Sequence, residues 1–301
     1  MSPVRRLRLG SCPDSWGVWY AADPRQIPWS RFLDELTEAG YRWLELGPHG
    51  YLPTDPAQLA DELAARGLSC AAGTVGGVGG PHRDFPAVVA GTRRVAALTR
   101  AVGGRDVVFV PVPGYRDDAT GGYLEPATLG AGQWRALLDN TNTLGRIVTE
   151  EYGLNLRFHP HADYQVENQS QIERFLDGTD PRFVSLCLDT GHLAYRRADI
   201  LSLIAAYPSR IGYVHLKQMD PDIALRAEAE DLAFAQAVAL GVSVAPPRGT
   251  PDVPTVLSAL AALDADLFVV VEQDMYPVDF DVPLPIATRT RRYLEETGDF
   301  A

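Results

Sequence analysis

Eight short apolar, β-prone runs alternate along this chain with longer stretches whose apolar positions recur every three or four residues. The runs are Leu7–Cys12, Trp43–Leu46, Ser69–Thr74, Val107–Val112, Leu154–His159, Val184–Asp189, Ile211–Leu216 and Leu267–Glu272. Their mostly apolar character predicts strands buried on both faces. Between them, Trp29–Ala39 closed by Gly40, Asp55–Arg66 closed by Gly67 and Pro86–Val102 closed by Gly103 and Gly104 predict amphipathic helices, as do Gln133–Glu151 and Asp281–Thr297. Eight rounds of strand then helix predict an α/β protein, a single (β/α)8 barrel spanning residues 1–301, rather than an open doubly wound sheet. One stretch breaks the rhythm. Within Gln218–Thr250, Arg226–Leu240 reads as helical and Val244–Thr250 as a Pro/Gly-rich loop, which predicts an insertion after strand seven.

A barrel gathers the C-terminal ends of its strands on one face, and that ordering gives the histidines a meaning. All six, His49, His82, His159, His161, His192 and His215, fall at or shortly after such an end, and none on a predicted helix. Strand five ends in Arg157-Phe158-His159-Pro160-His161, strand six in Cys187-Leu188-Asp189-Thr190-Gly191-His192, strand seven in Val214-His215-Leu216-Lys217 and strand eight in Val270-Val271-Glu272-Gln273-Asp274. Four consecutive strands thereby deliver imidazole, carboxylate, imidazole and carboxylate to one rim. A carboxylate at the tip of an apolar strand is costly to desolvate unless a cation faces it. Asp189 and Glu272 therefore require either a divalent metal or a salt-bridged mouth in which Lys217 and Arg157 pair with them. Mixed nitrogen and oxygen donors suit Mn²⁺, Fe²⁺, Co²⁺ or Zn²⁺ and suit Mg²⁺ less well, while the paucity of thiolate argues against a structural zinc.

Charge narrows the partners. With 27 Lys and Arg against 39 Asp and Glu, the formal charge of −12 repels phosphate backbones and anionic lipid, which favours small molecules over nucleic acid or membrane. Cys12, Cys70 and Cys187 have no paired spacing, so reduced thiols in a cytoplasmic setting are expected. The arginine-bearing start is not followed by an apolar signal core, and no run is long enough for a membrane span.

Several pieces spread over nearly the whole chain carry a family resemblance. They are Gly10-Ser11-Cys12-Pro13-Asp14-Ser15-Trp16-Gly17, Glu45-Leu46-Gly47-Pro48, Phe158-His159-Pro160-His161, Asp189-Thr190-Gly191-His192, His215-Leu216-Lys217 and Val271-Glu272-Gln273-Asp274. Together they resemble the xylose-isomerase-like barrels, the sugar isomerase/epimerase superfamily, and within it are most similar to the inosose (2-keto-myo-inositol) dehydratases and their relatives. The resemblance implies a divalent metal, Mn²⁺ foremost, held by Asp189, His215, Glu272 and the strand-five residue, with His192 and Glu45 facing the substrate. Ketose epimerases of the superfamily carry a glutamate on strand five, whereas the corresponding position here is His159, with His161 the alternative ligand. Fewer anionic ligands leave a stronger Lewis acid, which favours chemistry through a metal-stabilised enolate over epimerisation between two carboxylates.

The expected reaction is dehydration of a keto-cyclitol or keto-sugar, with His161, His192 or Glu272 as base and Lys217 stabilising the oxyanion or protonating the departing hydroxyl. Reprotonation of the same intermediate would instead give an isomerase or epimerase of a free or phosphorylated sugar. A non-catalytic binding subunit that kept the barrel is a further alternative. Glu45, His49, Trp16 and Arg248 are the expected substrate contacts, Trp16 and its neighbour Trp19 by stacking on an apolar ring face and Arg248 by meeting an anionic group. Gly76-Gly77-Val78-Gly79-Gly80 lacks the spacing of a phosphate-binding loop and reads as a mobile mouth loop. A homo-oligomer is compatible with such a barrel, but nothing in the sequence locates an interface.

Overall fold

The computed structural model describes residues 7–77, 80–111 and 114–301. Among the described residues ten strands form: β1 Leu7–Ser11, β2 Trp43–Pro48, β3 Ser69–Val75, β4 Asp106–Phe109, β5 Asn155–Phe158, β6 Val184–Asp189, β7 Ile211–Leu216, β8 Gln218–Met219, β9 Ser243–Val244 and β10 Leu267–Val271. Eight of them close a parallel barrel in the order β1-β10-β7-β6-β5-β4-β3-β2, while β8 and β9 pair separately and antiparallel. The eight expected strands are therefore the eight staves of the barrel. The fourth is shorter than its apolar run suggests, ending at Phe109, and Val112 lies outside the described residues, as do Met1–Arg6 and the Val78 and Gly79 of the glycine loop.

Helices α1 Trp29–Glu38, α2 Pro56–Ala65, α3 Phe85–Ala101, α4 Ala131–Tyr152, α5 Gln169–Gly178, α6 Thr190–Tyr195, α7 Ile200–Ala206, α8 Pro221–Ala229, α9 Phe234–Ala239, α10 Val253–Ala261 and α11 Pro283–Thr297 complete the chain. Their ends follow local chemistry. Asp55, Asp84, Asp199 and Asp252 each accept a hydrogen bond from a backbone N–H in the first turn of the helix that follows. The predicted stops at Gly40, Gly67 and Gly103 all have positive φ, where a side chain would be strained. No helix among the described residues is long and apolar enough to cross a membrane.

Two expectations need correction. Arg226–Leu240 is not one helix, because the chain reverses at Asp231, which adopts a φ of 52°, and separates α8 from α9. The reversal turns Phe234 inward, where its N–H bonds Asp163 Oδ2 at 2.5 Å. His192 lies on α6 rather than beyond all helices; the turn of helix starts directly at the end of β6 because Asp189 itself caps it.

The main core lies between barrel and helices, and a second apolar layer, including Val108, Cys187, Tyr213, Phe268 and Val270, fills the barrel interior. Arg157 sits in that interior on Asp106, with Nη2 to Oδ1 at 2.6 Å, and so is not available to pair with Asp189 or Glu272. Close packing outside the barrel depends on a missing side chain in α4. A Cβ on Gly145 would come within 2.5 Å of the Phe183 carbonyl oxygen, whereas one on Gly132 in the same helix would meet nothing within 4 Å. Gly145→Ala is therefore expected to lower unfolding free energy by about 1–3 kcal/mol through overpacking. Gly132→Ala should raise it by about 0.5–1 kcal/mol through helix propensity. Urea denaturation of the two variants checks the contrast.

Candidate active site

Register places the ligands. Asp189 pairs with His215 across β6 and β7, the His159 N–H bonds the Phe109 carbonyl, and the Glu272 N–H bonds the Leu216 carbonyl. All four side chains leave strand C-terminal ends at the same rim, and one donor atom from each of His159, Asp189, His215 and Glu272 lies within 4.8 Å of the others. The convergence expected from strand ends is present, and His159, not His161, is the strand-five member.

Each motif has a mechanical reason. Asp189 Oδ1 accepts the His192 N–H at 2.7 Å as the cap of α6, which fixes the carboxylate and leaves Oδ2 to face the site. Thr190 Oγ1 donates to the Lys217 carbonyl at 2.7 Å and accepts the Lys217 N–H at 3.0 Å, stitching β6 to the end of β7. Gly191 has no side chain because the Lys217 stem lies there; a Cβ would fall 2.0 Å from Lys217 Cγ. Lys217 is fully enclosed, with Nζ 3.1 Å from Asp189 Oδ2, 2.9 Å from Glu272 Oε2 and 3.1 Å from Asp274 Oδ2. It also stands 3.1 Å from His192 Nε2. The salt-bridged alternative is thus half present: Lys217 pairs with both acids, Arg157 with neither.

One ammonium does not satisfy this group. His159 Nδ1 is buried without a hydrogen-bond partner, and His215 Nδ1 and Glu272 Oε2, 2.7 Å apart, face one another beside the Lys217 ammonium. Two imidazoles and two carboxylates converging at a dry rim are the mixed nitrogen and oxygen donor set a divalent ion completes. The residues therefore fit a metal, held by His159, Asp189, His215 and Glu272. His215 is oriented for it from behind, since its Nε2 lies 2.8 Å from Glu45 Oε2 and Glu45 Oε1 accepts the Thr74 hydroxyl at 2.6 Å. Glu45 was expected to face the substrate; it lines the cavity, but its carboxylate is bound to His215 and Thr74.

The electrostatics follow from burial and neighbours. Burial alone would raise the Asp189 carboxyl, yet Lys217, His192 and bonds from His159 and His215 hold it well below the ordinary range. Glu272 is likewise depressed against its burial, by His215 and Lys217. Burial would lower His215 and Lys217, but the acids around them push both well up. A metal at His215 Nδ1 would take the place of a proton there. Burial, with His159 and Lys217 adding to it, drives His161 down to about 3, so its imidazole is neutral. Its Nδ1 bonds the Ala162 carbonyl at 2.6 Å, which leaves Nε2 as the basic atom.

Above this layer opens a cavity of about 400 Å³. Its wall includes Glu45, His49, His159, His161, His215 and Glu272, together with Asp14, Asp274, Trp19 and Arg94. Lys217 and His192 do not line it: Lys217 is 1% and His192 1% exposed, behind the ligand layer. Three further expectations fail on position. Trp16 is 1% exposed and turned into the core, its indole N–H on Glu35 at 2.9 Å and its ring against Phe32. Trp19 occupies the wall instead, stacked on Tyr276. Arg248 is exposed in the turn after β9 and lines no part of the cavity. His82 is buried beside Glu125 at 3.3 Å, off the cavity, because its loop folds against the neighbouring one.

Asp14, Asp274 and Arg94 join the cavity wall without having been candidates on sequence grounds. Asp274 follows Glu272 by two residues, and Asp14 follows the end of β1, so the strand-end argument applied to Asp189 reaches both. Arg94 comes from α3 and left no such signal. Asp14 makes no side-chain hydrogen bond or ion pair among the described residues, and burial with the nearby Glu272, Asp274 and Glu45 raises its carboxyl.

Comparison with known proteins agrees with the geometry. The family model described as xylose isomerase-like TIM barrel matches residues 33–296. An inosose dehydratase of Bacillus velezensis is 30% identical over 93% of this chain and 95% of its own length, and one of Geobacillus thermodenitrificans is 28% identical over 99% of each. Among solved structures, the IolI protein with a bound zinc atom superposes with a TM-score of 0.72 at 17% identity, covering 96% of this chain and 99% of that one. A probable 3-DHS dehydratase, AsbF of Bacillus anthracis, does so with a TM-score of 0.69 at 12% identity, over 96% and 98%. At those identities the two structures show a shared fold.

Because Glu45 holds His215 from behind, Glu45→Gln is expected to weaken Mn²⁺ binding about 10- to 100-fold. Titration calorimetry against the wild type measures it. Unchanged affinity would mean that the Glu45 contact does not orient the ligand.

Proposed function

The chain belongs to the xylose isomerase-like TIM-barrel family, and from that premise we propose that it is a divalent-metal-dependent dehydratase of a keto-cyclitol or closely related keto-sugar. The observation that carries this reading is the convergence of donor atoms from His159, Asp189, His215 and Glu272 at the floor of a cavity sized for a small polyol. Full-length relatives named inosose dehydratase support the reaction and the substrate class, and the zinc atom bound by IolI is in keeping with a divalent ion in this fold. Mixed nitrogen and oxygen ligation is consistent with Mn²⁺ as the working ion. Three free, buried thiols are in keeping with a cytoplasmic enzyme.

When bound, the ion supplies Lewis acidity that makes the proton α to a ketone easier to remove. The chain's own residues do the rest. His161, neutral and with Nε2 free, takes the α-proton, and its electron pair enters the enolate. As that pair moves on to form the carbon–carbon double bond, the β-hydroxyl departs with a proton from the Asp14 carboxyl, giving an enone and water. Lys217 acts indirectly in this scheme, as the buried countercharge that keeps Asp189 and Glu272 ionised. Trp19 offers an aromatic face to the ring.

Incubation of the Mn²⁺-loaded protein with 2-keto-myo-inositol is expected to generate enone absorbance, with the rate reduced about 10²- to 10⁴-fold in His161→Asn. Solvent deuterium entering a ketose with no enone would assign an isomerase or epimerase instead. Neither signal on these substrates would overturn both readings.

A further inference from the structure

One donor group on the barrel wall lies below the carboxylate layer. Cys187 precedes Asp189 by two residues on β6, so the two-residue period of the strand turns both side chains into the barrel, one layer apart. The Cys187 Sγ and one nitrogen from each of His159 and His215 lie within 4.8 Å of one another, and all three residues are buried. The other two thiols are accounted for by main-chain acceptors: Cys12 donates to the Val271 carbonyl and Cys70 to that of Ala72. Cys187 has no main-chain acceptor among the described residues and stands against the His215 imidazole. His159 Nδ1 is buried without a hydrogen-bond partner, and His215 Nδ1 faces Glu272 Oε2 at 2.7 Å.

Two imidazoles and a thiol with no carboxylate form a softer donor set than the four residues above them. We propose that Cys187, His159 and His215 form a second metal position, selective for a thiophilic divalent ion such as Zn²⁺ or Cd²⁺. Binding forms a metal–sulfur bond and releases the thiol proton to solvent, with no change in oxidation state. The two positions share both histidines, so occupation of the lower one withdraws two of the four ligands from the upper. Cys187 is thereby the residue through which soft ions exclude a hard one and block the enzyme. The lower position stands on its own geometry; only the exclusion rests on the function proposed above.

The test is a Cd²⁺ titration of the full chain preloaded with Mn²⁺, following the ultraviolet thiolate-to-cadmium charge-transfer band and, by electron paramagnetic resonance, Mn²⁺ released to solution. The expected result is a band that saturates at one Cd²⁺ per chain as Mn²⁺ is released. Cys187→Ala and Cys187→Ser should each lose the band while still binding Mn²⁺, and Cys12→Ala should keep it. Absence of the band in the wild type, or its persistence in Cys187→Ala, overturns the lower position. A Cys187-dependent band without release of bound Mn²⁺ overturns the exclusion. A Cys187-dependent band in a chain that never binds Mn²⁺ upholds the lower position and removes the metal centre of the proposed function instead.

Discussion

Everything at the barrel mouth depends on keeping several carboxylates ionised in a place that water scarcely reaches. Asp189, Glu272, Asp274 and Glu45 are all buried at one rim. Isolated, Asp189 and Glu272 would be so costly to desolvate that both would take up a proton instead. Lys217 meets three of them through one fully enclosed ammonium, and His215 lies against Glu45 on one side and Glu272 on the other. The fold serves this arrangement. Gly191 vacates space for the lysine stem, Thr190 ties β6 to β7, and Asp189 spends one oxygen on capping α6.

The same interaction separates the two layers of the site. The inner layer of Lys217 and His192 is closed to the cavity and sets charge; the outer layer of His159, His161, His215, Glu272 and Asp14 faces it. Chemistry at the outer layer therefore takes place beside fixed charges already compensated from behind. Such preorganisation is the usual source of catalytic power at a barrel mouth. It also explains why neutral His161, and not His192, is placed to exchange a proton with a bound molecule. His192 is enclosed by α6, Lys217 and Phe234.

The barrel was legible because a parallel strand buried on both faces leaves an unbroken apolar run, and because Gly40, Gly67 and Gly103 mark helix ends by backbone chemistry alone. The four converging residues were legible for a related reason: strand ends in a closed ring must meet. What escaped depends on side-chain direction and long-range packing. Trp16 and Trp19 are three residues apart in one segment, and only the burial of Trp16 against Phe32 and Glu35 decides which reaches the cavity. The break at Asp231 is a backbone reversal within a helical pattern, made favourable by the Asp163 contact to Phe234, 71 positions away in sequence. Arg94 enters the wall from a helix, where the strand-end argument does not reach.

On the function proposed above, the rim is built around a divalent cation and not around Lys217 alone. The most direct measurement is the thermal unfolding of metal-stripped protein with and without Mn²⁺, alongside metal content, for the wild type and Asp189→Asn. One ion per chain is expected, with a stabilisation that grows with concentration, about 2.7 kcal/mol at a hundredfold excess over the dissociation constant. That stabilisation should be absent in Asp189→Asn. A wild-type protein that retains no ion and unfolds at the same temperature whatever Mn²⁺ is added would contradict it, and would leave the lysine as the sole countercharge of the rim.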